Sequence, residues 1–521
     1  LLLPEDDLAG PVPEPLLDHF SPVYKAYQEI LNENHLLDFD DLVFQTIRLF
    51  EAHHTILRKY RQKFGFISVD EYQDINYAQY RLVRLLAPQG HDICVIGDPD
   101  QAIYGFRGAD VRYFHRFCED YPGTKRVVLE RNYRSTEAIL RASGQIIGGD
   151  GTKRGSRGVW SGIHGAKTLA VNELLTERAE AEYIVKTIDQ EVGGISHFSV
   201  ESGRVDPPGD KNERSFSDFA VLYRVKEQAK ALAEAFARSG IPFQMVGNEK
   251  LQNRKGIMEI VSYLKAGCSI ACDLDAERIL GFPSRGIGNS TVQALEEWCK
   301  MKGCSLMNAL AHPDEISGLK PGPRSRLRIF SRELNRLKGA FNRMSVYERI
   351  QHLVHQFGIM EAMSGDNAFK EDLAAFLDMS GSFGDRCVDF LASLALEKGQ
   401  DRYDPGAEKV SLMTMHAAKG LEFPVVFIAG CEDGLIPYRR KKGERGDLLE
   451  ERRLFYVALT RAKDKVYLTR ARRRLWFGQR TLQHPSPFLE AVQENLKKYG
   501  KPFSARPAAR KEDLQLSLFE L

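Results

Sequence analysis

The sequence predicts an α/β protein built on parallel sheet, with a helical block inserted into it. Three observations predict this. First, residues 65–69 and 92–96 are short apolar strands, each running into acid (Asp70-Glu71 and Gly97-Asp98), and a helical pattern at 77–86 separates them. Strand, helix, strand with continuously apolar strands is the mark of a parallel sheet covered on both faces. Second, the middle of the chain, from about Asn253 to about Ala407, reads as nearly all helix. Third, strand patterns return at 410–414, 425–428 and 465–469.

The remaining elements follow in order. Residues 16–60 carry helical spacing, with apolar side chains at Leu36, Leu37, Phe39, Leu42, Val43, Ile47 and Phe50. A third strand is expected at 126–129, leading into Glu130-Arg131-Asn132-Tyr133-Arg134-Ser135, and a further strand at 219–223. Residues 148–165, rich in Gly, Lys and Arg, and residues 195–214, rich in Ser, Gly, Pro and charge, read as loops.

Composition bounds the answer. A chain of 521 residues suits three or four compact units, and 43% hydrophobic with 28% charged residues describes an ordinary soluble protein. No apolar run is long enough to span a bilayer. The first residues lack the basic and apolar regions of a signal peptide, and lack an initiator Met, so the chain is expected to begin mid-protein. The formal net charge of +2 means that any nucleic-acid surface must be local. The eight Cys are scattered. Cys268 and Cys272 lie close, but no second pair completes a zinc pattern, and reduced core thiols are expected.

Five clusters carry chemistry. Val69-Asp70-Glu71-Tyr72-Gln73-Asp74 ends a strand, where ligands of such sheets sit. One carboxylate there suits Mg²⁺ and its neighbour an attacking water, although a solvated turn would look the same. In the stretch from Gly97 to Ala109, Asp98 and Gln101 are placed to sense a terminal phosphate. Tyr104, Phe106 and Arg107 follow, the combination that stacking on single-stranded bases requires. Tyr133 and Arg134 form a purine-stacking and phosphate-contacting pair, or a plain surface salt bridge. Thr414-Met415-His416-Ala417-Ala418-Lys419-Gly420-Leu421-Glu422-Phe423 offers a lone His and a Glu able to accept from a ribose hydroxyl. The last, Glu450 to Ala462, is mostly an amphipathic helical face, with Arg461 at its end a candidate arginine finger.

Together and in this order the five resemble motifs II to VI of superfamily 1A DNA helicases of the UvrD/Rep/PcrA type, from roughly Asp38 to Leu468. The resemblance implies RecA-like motor domains with helical inserts. Residues 1–35 would be a remnant of helical domain 1B and 36–127 the C-terminal part of RecA-like domain 1A. Residues 128–252 and 408–495 would be the two parts of domain 2A, 253–407 helical domain 2B, and 496–521 a flexible tail. It further implies ATP and Mg²⁺ as cofactors, with Asp70 on the metal, Glu71 activating water and Gln101 coupling the γ-phosphate to DNA. Arg134 and Arg461 would neutralise charge on the transferred phosphoryl group, Tyr133 would stack on adenine and Glu422 would hold the ribose. Tyr104, Phe106, Arg107 and His416 would meet single-stranded DNA. Phe106 stands where Trp is common, so stacking should be weaker. Arg285, Gly286 and Gly288 resemble the 2B segment that approaches duplex DNA at junctions, and equally read as a tight turn between helices. The implied activity is 3′→5′ translocation or unwinding in a cytoplasmic protein of DNA repair or replication.

One departure stands out. No Gly-x-x-x-x-Gly-Lys-[Ser/Thr] occurs in the chain. The phosphate loop's lysine and magnesium-binding hydroxyl are therefore missing, so this polypeptide is expected to be inactive as it stands. A non-catalytic protein that binds DNA and a sliding clamp is the alternative. At the other end, Gln515, Leu516, Leu518 and Phe519 follow a basic, Pro-containing stretch. They resemble the pentapeptide that docks on the bacterial sliding clamp, apolar anchors that make better sense on a tether than in a core.

Overall fold

The computed structural model describes residues 14–33, 36–148, 159–163, 165–193, 214–247, 251–396, 403–439, 447–476 and 479–500. The contacts divide the chain into two units: Phe39–Gly247 with Arg402–Leu521, and Leu2–Asp38 with Asn248–Asp401.

In the first unit, β1 (Phe66–Val69) pairs in parallel with β2 (Asp92–Val95), joined by the helix Tyr77–Leu86. Asn76 and Gln79 start that helix with a reciprocal capping box, which satisfies two orphan amides. Beyond it, β3 (Arg131–Asn132) pairs with β4 (Trp160–Ser161). A mainly parallel sheet holds β5 (Leu169–Thr176), β6 (Phe219–Tyr223), β7 (Phe243–Val246), β8 (Val410–Thr414), β9 (Phe423–Ile428), β10 (Ala462–Trp476) and β12 (Lys497–Tyr499). Their order is β12-β5-β10-β9-β6-β8-β7, and β11 (Gln479–Leu482) runs antiparallel to β10.

Burial explains why these strands read as unbroken apolar runs. On β6, Ala220 and Leu222 enter one core and Phe219, Val221 and Tyr223 the other, so both faces are covered. On β9, Val426 and Ile428 divide from Val425 and Phe427 in the same way. The helices Glu137–Gly148 and Leu448–Leu459 close the first face, and Glu177–Val192 and Gln228–Ser239 the second.

The predicted α/β class holds, with two local corrections. The strand expected at 126–129 does not form: these residues have no strand partner among the described residues, and Val127, Val128 and Leu129 are exposed. A parallel strand exists only where a neighbour accepts its hydrogen bonds, and apolarity alone supplies none. The pair β1–β2 is also not covered on both faces among the described residues, Phe66 being 85% exposed.

The second unit is helical from Ile257–Gly267 to Cys387–Leu396, apart from short 3₁₀ turns, around a core that includes Tyr263, Trp298, Phe330, Phe357, Phe376 and Phe390. No helix among the described residues is long and apolar enough to cross a membrane.

Candidate functional site

The first cluster sits at the end of β1, where Asp70 is exposed and its carboxylate accepts the Glu71 amide at 2.8 Å. Glu71 adopts a left-handed backbone, φ 52°, which is costly for a side chain of this size and recurs at functional sites. Gln73, fully buried, donates to the Glu71 carboxylate and accepts the Asp98 amide at 3.1 Å, tying the ends of β1 and β2 together. Gln101 in turn donates to Asp98 at 3.0 Å. The acids and amides around two strand ends thus become one hydrogen-bonded net.

Lys419 reaches this net from the distant motif after β8. Its ammonium contacts Asp74, lies 3.1 Å from the Glu71 carboxylate and donates to the Gln101 carbonyl at 2.8 Å. Burial raises the Asp74 carboxyl above its ordinary range, with Lys419 opposing. Sequence reading assigned Lys419 no role, although it stands three residues from His416.

A second convergence surrounds Glu422. Its carboxylate accepts from Lys463 at 2.8 Å and from Arg134 at 2.6 Å, and these two hydrogen bonds, Lys463 first, hold its pKa below the usual value. Arg131, Asn132, Tyr133, Arg134, Glu422 and Lys463 line a cavity of about 420 Å³. Tyr133 is 75% exposed beside it, with the Arg131 guanidinium 4.8 Å over its ring and 5.1 Å over that of Trp160. Asn132 holds this turn by accepting the amides of Arg134 and Ser135 at 2.9 and 2.8 Å. Lys463, Arg131 and Trp160 are further residues that sequence reading missed. Their signal was adjacency alone for the first two, and a two-strand pairing across 29 residues for Trp160.

Arg461 is 2% exposed and donates to the carbonyls of Val457 and Leu421 at 3.0 and 3.3 Å. It forms no ion pair among the described residues, and burial, then Arg134, pushes its pKa down to about 10. A buried guanidinium satisfied only by neutral oxygens, these two carbonyls and the Thr460 hydroxyl at 3.3 Å, retains unspent positive charge, which suits an anionic ligand.

The aromatic cluster is continuous. Tyr104 and Phe106 lie 6.1 Å apart, Phe106 stands edge-on to His416 at 5.4 Å, and Arg107 lies 5.5 Å over Phe106. Phe106 is 64% exposed, so its ring is available. Gly105 allows the approach: a side chain there would meet the Glu450 carboxylate, which accepts the Gly105 and Phe106 amides.

Burial first, then Arg224 and Arg107, lowers the His416 pKa from 6.5 to about 4. The ring is therefore neutral at pH 7, which leaves it stacking and hydrogen bonding but no ion pairing. A depressed histidine pKa contributes stability that is present above the unfolded value and lost as pH falls from 6.5 toward 4. The expected loss is at most about 3 kcal/mol, reduced by residual solvent access. His416→Gln should flatten this part of a urea-midpoint-against-pH curve; an unaltered curve contradicts the assignment.

In the helical unit, Gly286 (φ 69°) and Gly288 are exposed at a turn, the latter preceding the helix Asn289–Lys302. Arg285 turns inward instead, donating to the carbonyls of Ile279 and Pro283 at 3.0 Å, with its guanidinium 4.7 Å over Phe330. A DNA contact from Arg285 would have to displace these. Gln515, Leu516, Leu518 and Phe519 lie outside the described residues.

Residues 4–122 match the UvrD/REP helicase N-terminal domain, and residues 127–315 and 325–473 the UvrD-like helicase C-terminal domain. The chain belongs to the UvrD/REP helicase family. It is 37% identical over 488 residues to the ATP-dependent DNA helicase PcrA of Staphylococcus epidermidis, and 36% identical over 488 residues to that of Staphylococcus aureus. Those alignments cover 91% of this chain and 64% of each relative, so the chain spans less than two thirds of their length. A solved C-terminal domain of a possible DNA helicase from Lactobacillus plantarum overlaps 71% of this chain and 99% of its own, at 12% identity and a TM-score of 0.28.

The residues fit a nucleotide better than a bare metal. An exposed Tyr ring beside a cavity edged by Arg134 and Lys463 suits a purine joined to an anion. Among the described residues no group of three or more His, Cys, Asp or Glu side chains could hold a metal ion. Asp70 offers one carboxylate, the usual share for Mg²⁺ held mainly by phosphate and water.

Proposed function

We propose that this chain supplies most of a PcrA-like, ATP-dependent 3′→5′ DNA helicase or translocase that serves repair or replication. The observation that carries the reading is convergence: Lys419 on Glu71 and Asp74, and Arg134 on Glu422, join motifs 345 and 288 residues apart into one polar face. In this reading Tyr133 stacks on adenine, Glu422 holds the ribose, and Glu71 takes the proton of the attacking water. Asp70 orients Mg²⁺, which when bound to ATP would neutralise phosphate charge. Gln101, Arg134 and Arg461 respond to charge on the terminal phosphate. Lys419 belongs to this set, because a cation shared by Glu71 and the Gln101 carbonyl links the water-activating acid to the phosphate sensor. Tyr104, Phe106, Arg107 and His416 carry single-stranded DNA, with Gly286, Gly288 and Arg285 toward a duplex junction. The six segments 1–35, 36–127, 128–252, 253–407, 408–495 and 496–521 keep the domain assignments given above, and a cytoplasmic location accompanies them.

The absence of a Gly-x-x-x-x-Gly-Lys-[Ser/Thr] loop separates binding from turnover. The purified chain is expected to bind a fluorescein-labelled oligothymidine in a salt-dependent manner by anisotropy, yet to show no DNA-stimulated ATP hydrolysis. Absence of binding at low salt would sink the DNA-motor reading, and robust hydrolysis would overturn the inactivity of this polypeptide. If binding occurs without hydrolysis, the non-catalytic DNA- and clamp-binding reading describes the chain in isolation.

The tail proposal is tested separately. Leu518→Ala with Phe519→Ala is expected to abolish capture of the chain by immobilised bacterial sliding clamp while leaving oligothymidine binding intact. Equal capture of variant and unaltered chain refutes the docking role.

A further inference from the structure

The turn that carries Tyr133 is stitched to a distant segment by a two-residue parallel ladder. Arg131 pairs with Trp160 and Asn132 with Ser161, and the Trp160 amide donates to the Glu130 carbonyl at 2.9 Å. The Ser161 amide donates to the carboxylate of Glu137, in the first turn of the helix Glu137–Gly148, at 3.1 Å. The Ser161 hydroxyl accepts the Ile163 amide, also at 3.1 Å. So short a ladder adds little as sheet. Its consequence is placement: paired strands lie about 4.8 Å apart, so the side chains of Arg131 and Trp160 leave the backbone side by side.

One guanidinium then serves two rings. That of Arg131 lies 4.8 Å over Tyr133 and 5.1 Å over Trp160. Arg131 is exposed and forms no ion pair among the described residues, so the two rings are what holds its charge in place. Each cation–π contact is weak where water reaches it, but two on one guanidinium restrict it, and through it the phenol. Trp160 is itself 47% exposed, and an indole so placed contributes little to a core. Tyr133 keeps most of its ring open beside the cavity edged by Arg134, Glu422 and Lys463.

We propose that Arg131 and Trp160 are positioning residues for a purine platform. Trp160 fixes the Arg131 guanidinium, and the guanidinium fixes the Tyr133 ring in the attitude on which a base stacks. This rests on Tyr133 acting as the base-stacking residue, and adds that the layers beneath it set how tightly a purine nucleotide is held. A mobile ring must be ordered when the base arrives, and a ring already layered on a cation and an indole avoids that cost.

AMP is the probe, since its base, ribose and single phosphate can engage this cavity without a phosphate loop, and ribose 5-phosphate is the control that lacks the base. Isothermal titration of the full chain measures both. Trp160→Ala is expected to weaken AMP binding about 3- to 10-fold, the ordering cost of one aromatic side chain, and to leave ribose 5-phosphate binding unchanged. Trp160→Phe keeps a π face for the guanidinium and should restore most of the affinity. Arg131→Met should reproduce the Trp160→Ala loss, and both substitutions together should cost no more than either alone, because they break one stack. Circular dichroism checks folding, and Arg131→Met, at an exposed position, decides if Trp160→Ala does not fold. Full AMP affinity in folded Trp160→Ala or Arg131→Met, with a loss in Tyr133→Ala, overturns the layered stack and leaves the role of Tyr133 standing. An equal loss of AMP and ribose 5-phosphate binding also overturns it, since the effect then does not pass through the base. Full AMP affinity in Tyr133→Ala, or no AMP binding by the unaltered chain, overturns both the stack and the base-stacking role of Tyr133.

Discussion

Replacing Arg474 with alanine is expected to destabilise the sheet-containing unit by about 3–5 kcal/mol, enough to unfold many domains. Arg474 is 5% exposed on β10 and serves two buried acids. It donates to Glu432 at 2.7 and 2.9 Å and to Glu180 at 2.5 Å. Both acids also hold backbone: Glu180 accepts the Gly430 amide at 2.9 Å and the Thr469 hydroxyl at 2.7 Å, and Glu432 accepts the Ala471 amide at 2.7 Å. Removing the cation leaves two carboxylates in a dry site, still required by the loop after β9. Burial already raises the Glu432 pKa with Arg474 present, and the variant would raise it further. The folded variant then binds more protons than its unfolded chain, so its deficit should narrow as pH falls. Urea denaturation followed by circular dichroism at pH 7 and pH 5 measures both effects. A loss below about 1 kcal/mol at pH 7 would mean that the network contributes specificity without stability.

Much of this was legible in the sequence, and the exceptions share a cause. Residues 219–223 and 425–428 read correctly as buried strands because both faces are covered and every side chain is apolar. The helix Tyr77–Leu86 was legible from its period, with the Asn76 cap marking its start. β5 was missed because Asn172 and Glu173 interrupt its apolar run, yet pairing with β10 and β12 settles it. The apolar run at 126–129 failed in the opposite sense, being strand-like in composition with no strand to pair with among the described residues. The site divides similarly. Glu71, Gln101, Arg134 and Glu422 were visible because each stands in a motif dense in special side chains. Lys419 and Lys463 are ordinary in sequence, and acquire a role only when folding brings them to acids 345 and 41 residues away. Arg285 shows the limit of motif reading, since the ring of Phe330 that engages its guanidinium is 45 residues distant.

Phe106→Ala is expected to weaken single-stranded DNA binding about 5- to 150-fold, the equivalent of one lost base stack at about 1–3 kcal/mol. The ring is exposed on one side and fixed on the other by His416 and Arg107, so stacking costs it little further ordering. Its contribution is dispersion and desolvation, which salt screens weakly. The loss should therefore be nearly the same at low and high salt. Arg107→Ala should behave differently, because a guanidinium near phosphate acts through counterion release. That variant is expected to reduce the slope of log affinity against log salt by about 0.7, the single-strand value for one phosphate contact. Phe106→Trp adds ring area and should tighten binding. Anisotropy titrations of one oligothymidine at three salt concentrations separate the cases. If Phe106→Ala and Arg107→Ala give the same salt-dependent loss, the two residues act as one structural unit and the ring is not a base platform. If Phe106→Ala leaves affinity unchanged at every salt, the strand passes elsewhere on this face.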